Sequence, residues 1–171
     1  NNLYLMPDTE EKLATISTSR GCPSSCIFCL SPVISGKKVR FRSTDNVLEE
    51  LKECYFKFKI RNFFFKADTF TINKNWCKEL CNKIISSDLY GKINWVANSR
   101  VNTVDLELLS LMKKAGCSLI AFGLESGSDE SLKKMKKNTT QKQNYEAVQM
   151  AKKAGLKTFG FYVIGFPWED F

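Results

Sequence analysis

Apolar positions along this chain follow two alternating rhythms. Short, nearly continuous apolar or β-branched runs cover Ala14–Ser19, Asn62–Ala67, Lys92–Ser99, Ser118–Glu125 and Lys157–Gly165, and each predicts a buried strand. Between them apolar residues return every three or four positions, which predicts helices. Val47, Leu48, Leu51, Cys54, Tyr55 and Phe58 keep that spacing behind Ser43 and Thr44, either of which can cap a helix. Trp76, Cys77, Leu80, Cys81, Ile84 and Ile85 repeat it. Asp105–Ala115 and Gln141–Ala154 read as two more helices, with further helical material from Asp129. Gly116 and Gly155 stand where a helix stops. The segments "KKAGCSLIAFG" from Lys113 and "KKAGLKTFGFY" from Lys152 echo each other as helix end, glycine stop and apolar strand.

Strands that alternate with helices and are apolar throughout indicate an α/β fold with a parallel sheet covered by helices. The pattern leaves two architectures open, a doubly wound sheet and a (β/α) barrel. Both place chemistry at the C-terminal ends of the strands. Those ends carry Cys22, Cys26 and Cys29, then Asp68-Thr69, then Asn98-Ser99-Arg100, then Glu125-Ser126, and last Gly165-Phe166-Pro167.

Composition narrows the class. A chain of 171 residues with 43% hydrophobic positions suits one globular domain. No apolar run reaches the roughly 18 residues of a membrane span. The opening shows no signal peptide, and the cysteine count of seven is odd, so free thiols in a reducing, cytoplasmic setting are expected. Residues 1–13 read as a lead-in from an upstream domain, and the apolar end predicts a core domain, 14–171, that continues past Phe171. The net charge of +8 comes from lysines spread along the chain. Their densest cluster, Lys133–Lys142, has no aromatics to stack bases. It reads as a solvated helix face and loop, so a nucleic-acid partner is not expected.

Three cysteines in "RGCPSSCIFCLSP" point to a soft or borderline metal. Structural zinc takes four ligands in paired, separated clusters, and the chain has no histidine. Cys54, Cys77, Cys81 and Cys117 fall on apolar faces and read as core. A 4Fe–4S cluster ordinarily takes four cysteines. Three would leave one iron open to a substrate. Two readings stand at this point: a zinc-stabilised, basic nucleic-acid-binding module, and a three-cysteine cluster with a catalytic vacancy.

Longer motifs add a resemblance. Cys22-x-x-x-Cys26-x-x-Cys29 with Phe28, "FRS" at Phe41, "KADTFTIN" at Lys66, "SRVNTVDLELLSLMKKAGC", "FGLESGSDESLKKMKKNTT" and "VIGFPWED" occur together and in order. In this they resemble the radical S-adenosylmethionine (SAM) superfamily, in particular its branch with an upstream cobalamin-binding domain, similar to the anaerobic protoporphyrin ester cyclase. The resemblance implies a partial (β/α)6 TIM-like barrel, here cut after about five βα units. It implies that Cys22, Cys26 and Cys29 hold a 4Fe–4S cluster that reductively cleaves SAM, giving a 5′-deoxyadenosyl radical that abstracts hydrogen from a small-molecule substrate. An external flavodoxin- or ferredoxin-like reductant supplies the electron. The reaction types implied are a cobalamin-dependent methyltransferase or cyclase, with cobalamin on the upstream domain, and alternatively a methylthiotransferase.

By position in the motifs, Phe28 would pack near adenine, and Glu125, assisted by Ser126, would bond the ribose. Arg100 would meet the methionyl carboxylate, and Val163 and Gly165 would approach adenine. Asp68 stands where the family's glycine-rich stretch receives the SAM amino group. Each has a plainer reading: Phe28 as core, Glu125 as an acid favoured by a helix N-terminus, Arg100 as a surface charge. Trp168 replaces a glycine of the family's turn, which predicts a different turn shape.

Overall fold

A computed structural model describes residues 11–169. The lead-in expected over residues 1–13 falls mostly outside them, as does anything after Glu169. The elements run β1 (Leu13–Ser17), β2 (Ser19–Arg20), α1 (Ser31–Ile34), β3 (Arg40–Phe41), α2 (Thr44–Phe58), β4 (Asn62–Lys66) and α3 (Lys74–Ile85). They continue with β5 (Asn94–Ser99), α4 (Leu106–Lys114), β6 (Cys117–Glu125), α5 (Asp129–Lys134), α6 (Gln141–Lys153) and β7 (Lys157–Tyr162).

Side chains start the helices where the sequence places them. Ser43, Asn73, Asp105 and Ser128 each accept a hydrogen bond from the backbone N–H three residues on. Thr140 and Gln143 form a reciprocal capping box. Gly116 and Gly155 end α4 and α6 with φ of +99° and +77°, a conformation that costs glycine little.

Five strands form one parallel sheet in the order β1-β4-β5-β6-β7. The order never reverses, so there is no switch point of the kind a doubly wound sheet contains. The choice left open by the sequence is settled in favour of the barrel-type winding. Among the described residues β1 and β7 are not paired with each other, so the sheet is an arc of five strands.

Alternation sorts the two faces of that arc. Phe63, Phe65, Trp95, Ala97, Ile120 and Phe122 point to the helices and are buried; Phe65 stacks on Trp95 with ring centroids 4.6 Å apart. Residues of opposite parity, such as Thr15, Phe64, Lys66 and Asn98, line the inner face. Cys77, Cys81 and Cys117 belong to the core as expected, while Cys54 packs against its edge. The hydrogen bond with Cys81 and burial raise the pKa of the Cys77 thiol, and burial raises that of Cys117.

Two departures from the sequence reading concern the site. The first strand ends at Ser17 and the chain re-forms as β2, paired antiparallel with β3. The last strand ends at Tyr162 rather than Gly165. Gly165 turns at φ +91°, and Glu169 Oε2 accepts from the Gly165 and Phe166 N–H groups at 2.9 and 3.2 Å, which closes a turn instead of extending the strand.

Candidate active site

The cysteine loop is fixed by groups far from it in sequence. Gly21 has φ +101°, and a Cβ there would lie 2.2 Å from Lys38 O, so only glycine admits the turn from β2 into the loop. The Gly21 N–H donates to Asp68 Oδ2 at 2.8 Å, and Ser31 Oγ donates to Asp68 Oδ1 at 2.6 Å. One carboxylate at the end of β4 thus clamps both flanks of the three cysteines. The Ile27 N–H donates to Met135 O at 3.1 Å, tying the middle of the loop to the end of α5.

Two of the sulfurs receive N–H donors. Arg100 Nη1 lies 3.4 Å from Cys26 Sγ, and the Ser31 N–H lies 3.4 Å from Cys29 Sγ. Arg100 is buried rather than a surface charge; its Nη2 donates to Lys137 O and its Nε to Asn102 Oδ1.

At the end of β6, Glu125 adopts a left-handed backbone with φ +65°. Its Oε1 accepts from Lys137 Nζ at 2.7 Å, with both side chains enclosed. Lys137 reaches this position because its neighbours Lys136 and Asn138 both have positive φ, +53° and +55°. That conformation is uncommon outside glycine and is tolerated best by asparagine. Gly123 makes room for the pair: a Cβ there would lie 2.4 Å from Glu125 Oε1 and 2.7 Å from Lys137 Nζ.

Cys22, Cys26, Cys29, Phe28, Asp68, Arg100, Glu125 and Lys137 line one cavity of about 170 Å³. The remaining residues expected from the motifs lie elsewhere. Ser126 faces a separate cavity beside Asn144 and Tyr145, because the left-handed turn at Glu125 sends the next side chain outward. Val163 donates its N–H to Glu125 O at 3.0 Å, and Gly165 sits in the exposed turn; neither lines the cavity. Phe28 packs edge-on against Phe166 at 6.2 Å, and Phe166 stacks on Trp168 at 4.6 Å. Trp168 Nε1 in turn bonds Ser131 Oγ at 3.2 Å. The residue that replaces a glycine therefore anchors an aromatic wall beside the loop.

The sequence reading missed Lys137, which it placed on a solvated face. Its neighbours Lys133, Lys134 and Lys136 are indeed exposed, and only Lys137 turns inward. The signal available was the motif from Phe122 to Thr140, which contains it.

Among the described residues no three His, Cys, Asp or Glu side chains converge on a single ion. The donor set nonetheless suits a larger thiolate-held cluster. Three thiols share one cavity, N–H groups point at two of the sulfurs, and one of those donors, Arg100, brings a positive charge that no carboxylate pairs among the described residues.

The family model described as the radical SAM superfamily matches residues 16–171. An uncharacterized methyltransferase of Pyrococcus horikoshii is 40% identical over 154 residues, which is 90% of this chain and 33% of that protein. The anaerobic magnesium-protoporphyrin IX monomethyl ester cyclase of Cereibacter sphaeroides is 29% identical over 168 residues, 97% of this chain and 27% of that protein. The fold also matches the radical SAM methyltransferase TsrM of Kitasatospora setae, solved with cobalamin and a 4Fe–4S cluster bound. The TM-score is 0.84 at 20% identity, over 94% of this chain and 32% of that one. The chain thus spans about a third or less of each of these three proteins.

Proposed function

The chain belongs to the radical SAM superfamily, and from that membership we propose that it forms the core of an enzyme in which Cys22, Cys26 and Cys29 hold a 4Fe–4S cluster. Held by Cys22, Cys26 and Cys29, a bound cluster would supply the one electron that cleaves the sulfonium of SAM to methionine and a 5′-deoxyadenosyl radical, the species that would take hydrogen from the substrate. The electron comes from an external flavodoxin- or ferredoxin-like protein. The observation that carries this reading is the shared cavity, where three cysteines from one loop meet residues from three strand ends.

The chain's own residues hold, neutralise and orient. Asp68 keeps the loop in one shape by accepting from both its flanks. Arg100 donates an N–H to Cys26 Sγ and so places its positive charge beside a sulfur that would ligate the cluster. Glu125 is held by Lys137 through Oε1; its Oε2 then accepts from a ribose hydroxyl of SAM. Phe28, backed by Phe166, supplies an apolar wall for adenine, while Val163 acts through its backbone bond to Glu125 and Gly165 stays outside the cavity. Ser126 acts only by shaping the turn that follows Glu125.

Family membership decides against the zinc-stabilised nucleic-acid module, and the burial of Lys137 removes one charge from its basic surface. Within the family, similarity to a methyltransferase and to a cyclase supports a cobalamin-dependent methyltransferase or cyclase, while a putative methylthiotransferase of Methanocaldococcus jannaschii, 35% identical over 162 residues, keeps the methylthiotransferase as the second reading. Cobalamin would sit on an upstream domain, so no step of it is assigned to these residues. Among the described residues no helix is long and apolar enough to cross a membrane.

The test is anaerobic reconstitution of the full-length protein with iron and sulfide, followed by EPR of the reduced cluster with and without SAM. A spectrum that changes on SAM addition is expected. An unchanged spectrum from protein with all three cysteines intact would overturn the reading.

A further inference from the structure

Beside the cysteine cavity lies a larger one of about 680 Å³, on the inner face of the sheet. The two share Ser31, Asp68 and Asn98, so a molecule in the larger cavity abuts the smaller. Its wall is formed by Thr15 and Ser17 of β1 and by Phe64 and Lys66 of β4, with Arg20 at the rim. The charge balance of this space is uneven. It holds two cations, Lys66 and Arg20, and one acid, Asp68. Both oxygens of Asp68 are already engaged by the Gly21 N–H and Ser31 Oγ.

Neighbouring cations are satisfied. Arg42 pairs with Glu50, Arg40 bonds the carbonyls of Lys38 and Ser35, and Lys137 pairs with Glu125. Among the described residues, the side chains of Lys66 and Arg20 have no carboxylate partner and no hydrogen bond. Lys66 is also the one charged side chain that the five-stranded sheet turns to its inner face at this level. It follows the buried Phe65 in strand alternation and pairs in register with Ser17. Two uncompensated cations, flanked by the hydroxyls of Thr15 and Ser17 and the ring of Phe64, form a concave site for a molecule with an apolar body and an anionic group.

We infer that the enzyme binds its substrate through a carboxylate or phosphate group held by Lys66 and Arg20 in this cavity. The inference rests on the reading of the adjoining cavity as the cofactor site, since that reading makes the contiguous space the place where a substrate reacts. Lys66 and Arg20 set specificity by charge and take no part in breaking bonds.

The experiment titrates the full-length reconstituted protein calorimetrically with inorganic pyrophosphate and, separately, with succinate, which distinguishes the two anion classes. At least one probe is expected to bind, and Lys66→Met and Arg20→Met are each expected to weaken it by about tenfold or more, the loss of one charge-assisted hydrogen bond. The EPR change on SAM addition should persist in Lys66→Met. If neither probe binds the wild-type protein, or if Lys66→Met binds as tightly as wild type, the anion site is overturned. Because Lys66 is exposed, that variant keeps the test decisive should Arg20→Met fail to fold. A wild-type protein whose EPR spectrum ignores SAM would overturn the cofactor reading instead, and the titration would still report on the anion site alone.

Discussion

Lys137 Nζ and Glu125 Oε1 lie 2.7 Å apart, twelve residues removed in sequence, with side chains 5% and 10% exposed. Removing one member of such a pair strands the other charge in a poorly solvated place. Lys137→Met and Glu125→Leu are each expected to lower the free energy of urea unfolding by about 3–5 kcal/mol. The double variant should cost clearly less than the sum, and strict additivity would show that the pair is not coupled. Gly123→Ala should act in the same direction, because the added Cβ meets both members, whereas Gly127→Ala meets nothing within 4 Å and serves as control.

Asp68 predicts a defect in cluster retention. Asp68→Ala frees both flanks of the cysteine loop at once, without touching any sulfur. Iron should leave the reconstituted variant about tenfold faster or more in the presence of a chelator, within the roughly 10–100-fold effect of outer-sphere changes. Iron release at the wild-type rate would show that the clamp is dispensable.

Arg100 predicts a shift in potential. A guanidinium against Cys26 Sγ stabilises the more negative, reduced state of a cluster. Arg100→Met should therefore make the cluster harder to reduce, moving its midpoint to a more negative value in an EPR-monitored redox titration. A midpoint that stays put, or moves up, contradicts the electrostatic role.

Cys117 predicts alkaline destabilisation. Burial raises its folded-state pKa above the ordinary thiol value of 9.0. Its contribution is thus fully present below about pH 9 and declines above it, as the unfolded thiol ionises and the folded one does not. Under reducing conditions the loss of stability for this thiol should approach about 1.4 kcal/mol per pH unit well above pH 9, and between pH 9 and 10 it should amount to about 1 kcal/mol. In Cys117→Ala the urea-unfolding free energy between pH 9 and 10 should fall less steeply by that amount. Equal slopes in both proteins would contradict it.

Legibility in the sequence followed the range of the interaction. Helices α2, α3, α4 and α6 and the strands of the sheet were readable because periodicity, a cap such as Ser43 and the stops at Gly116 and Gly155 act within a few positions; the caps at Asn73 and Thr140 emerged only with the structure. The ribbon of β2 and β3 was not, because two-residue strands carry no period. The direction of winding became visible only with the pairing order. In the site, the cysteines, Asp68, Arg100 and Glu125 stood at strand ends and could be named. What they do to one another could not: Asp68 reaches back 47 residues to Gly21 and Arg100 back 74 to Cys26. Lys137 was lost in a run of lysines whose other members face water, since one left-handed residue on each side decides which of them turns in.

That separation bears on how the protein is made. All three cysteines leave the ribosome before the groups that frame them, within a stretch of eight residues. The groups that frame them emerge much later: Asp68, then Arg100, then the Met135 carbonyl that receives the Ile27 N–H. A nascent chain interrupted after β5 would expose a complete thiol triplet with its frame unfinished, open to stray metal and to oxidation. The frame around the three cysteines is therefore complete only once the chain has been made through the end of α5.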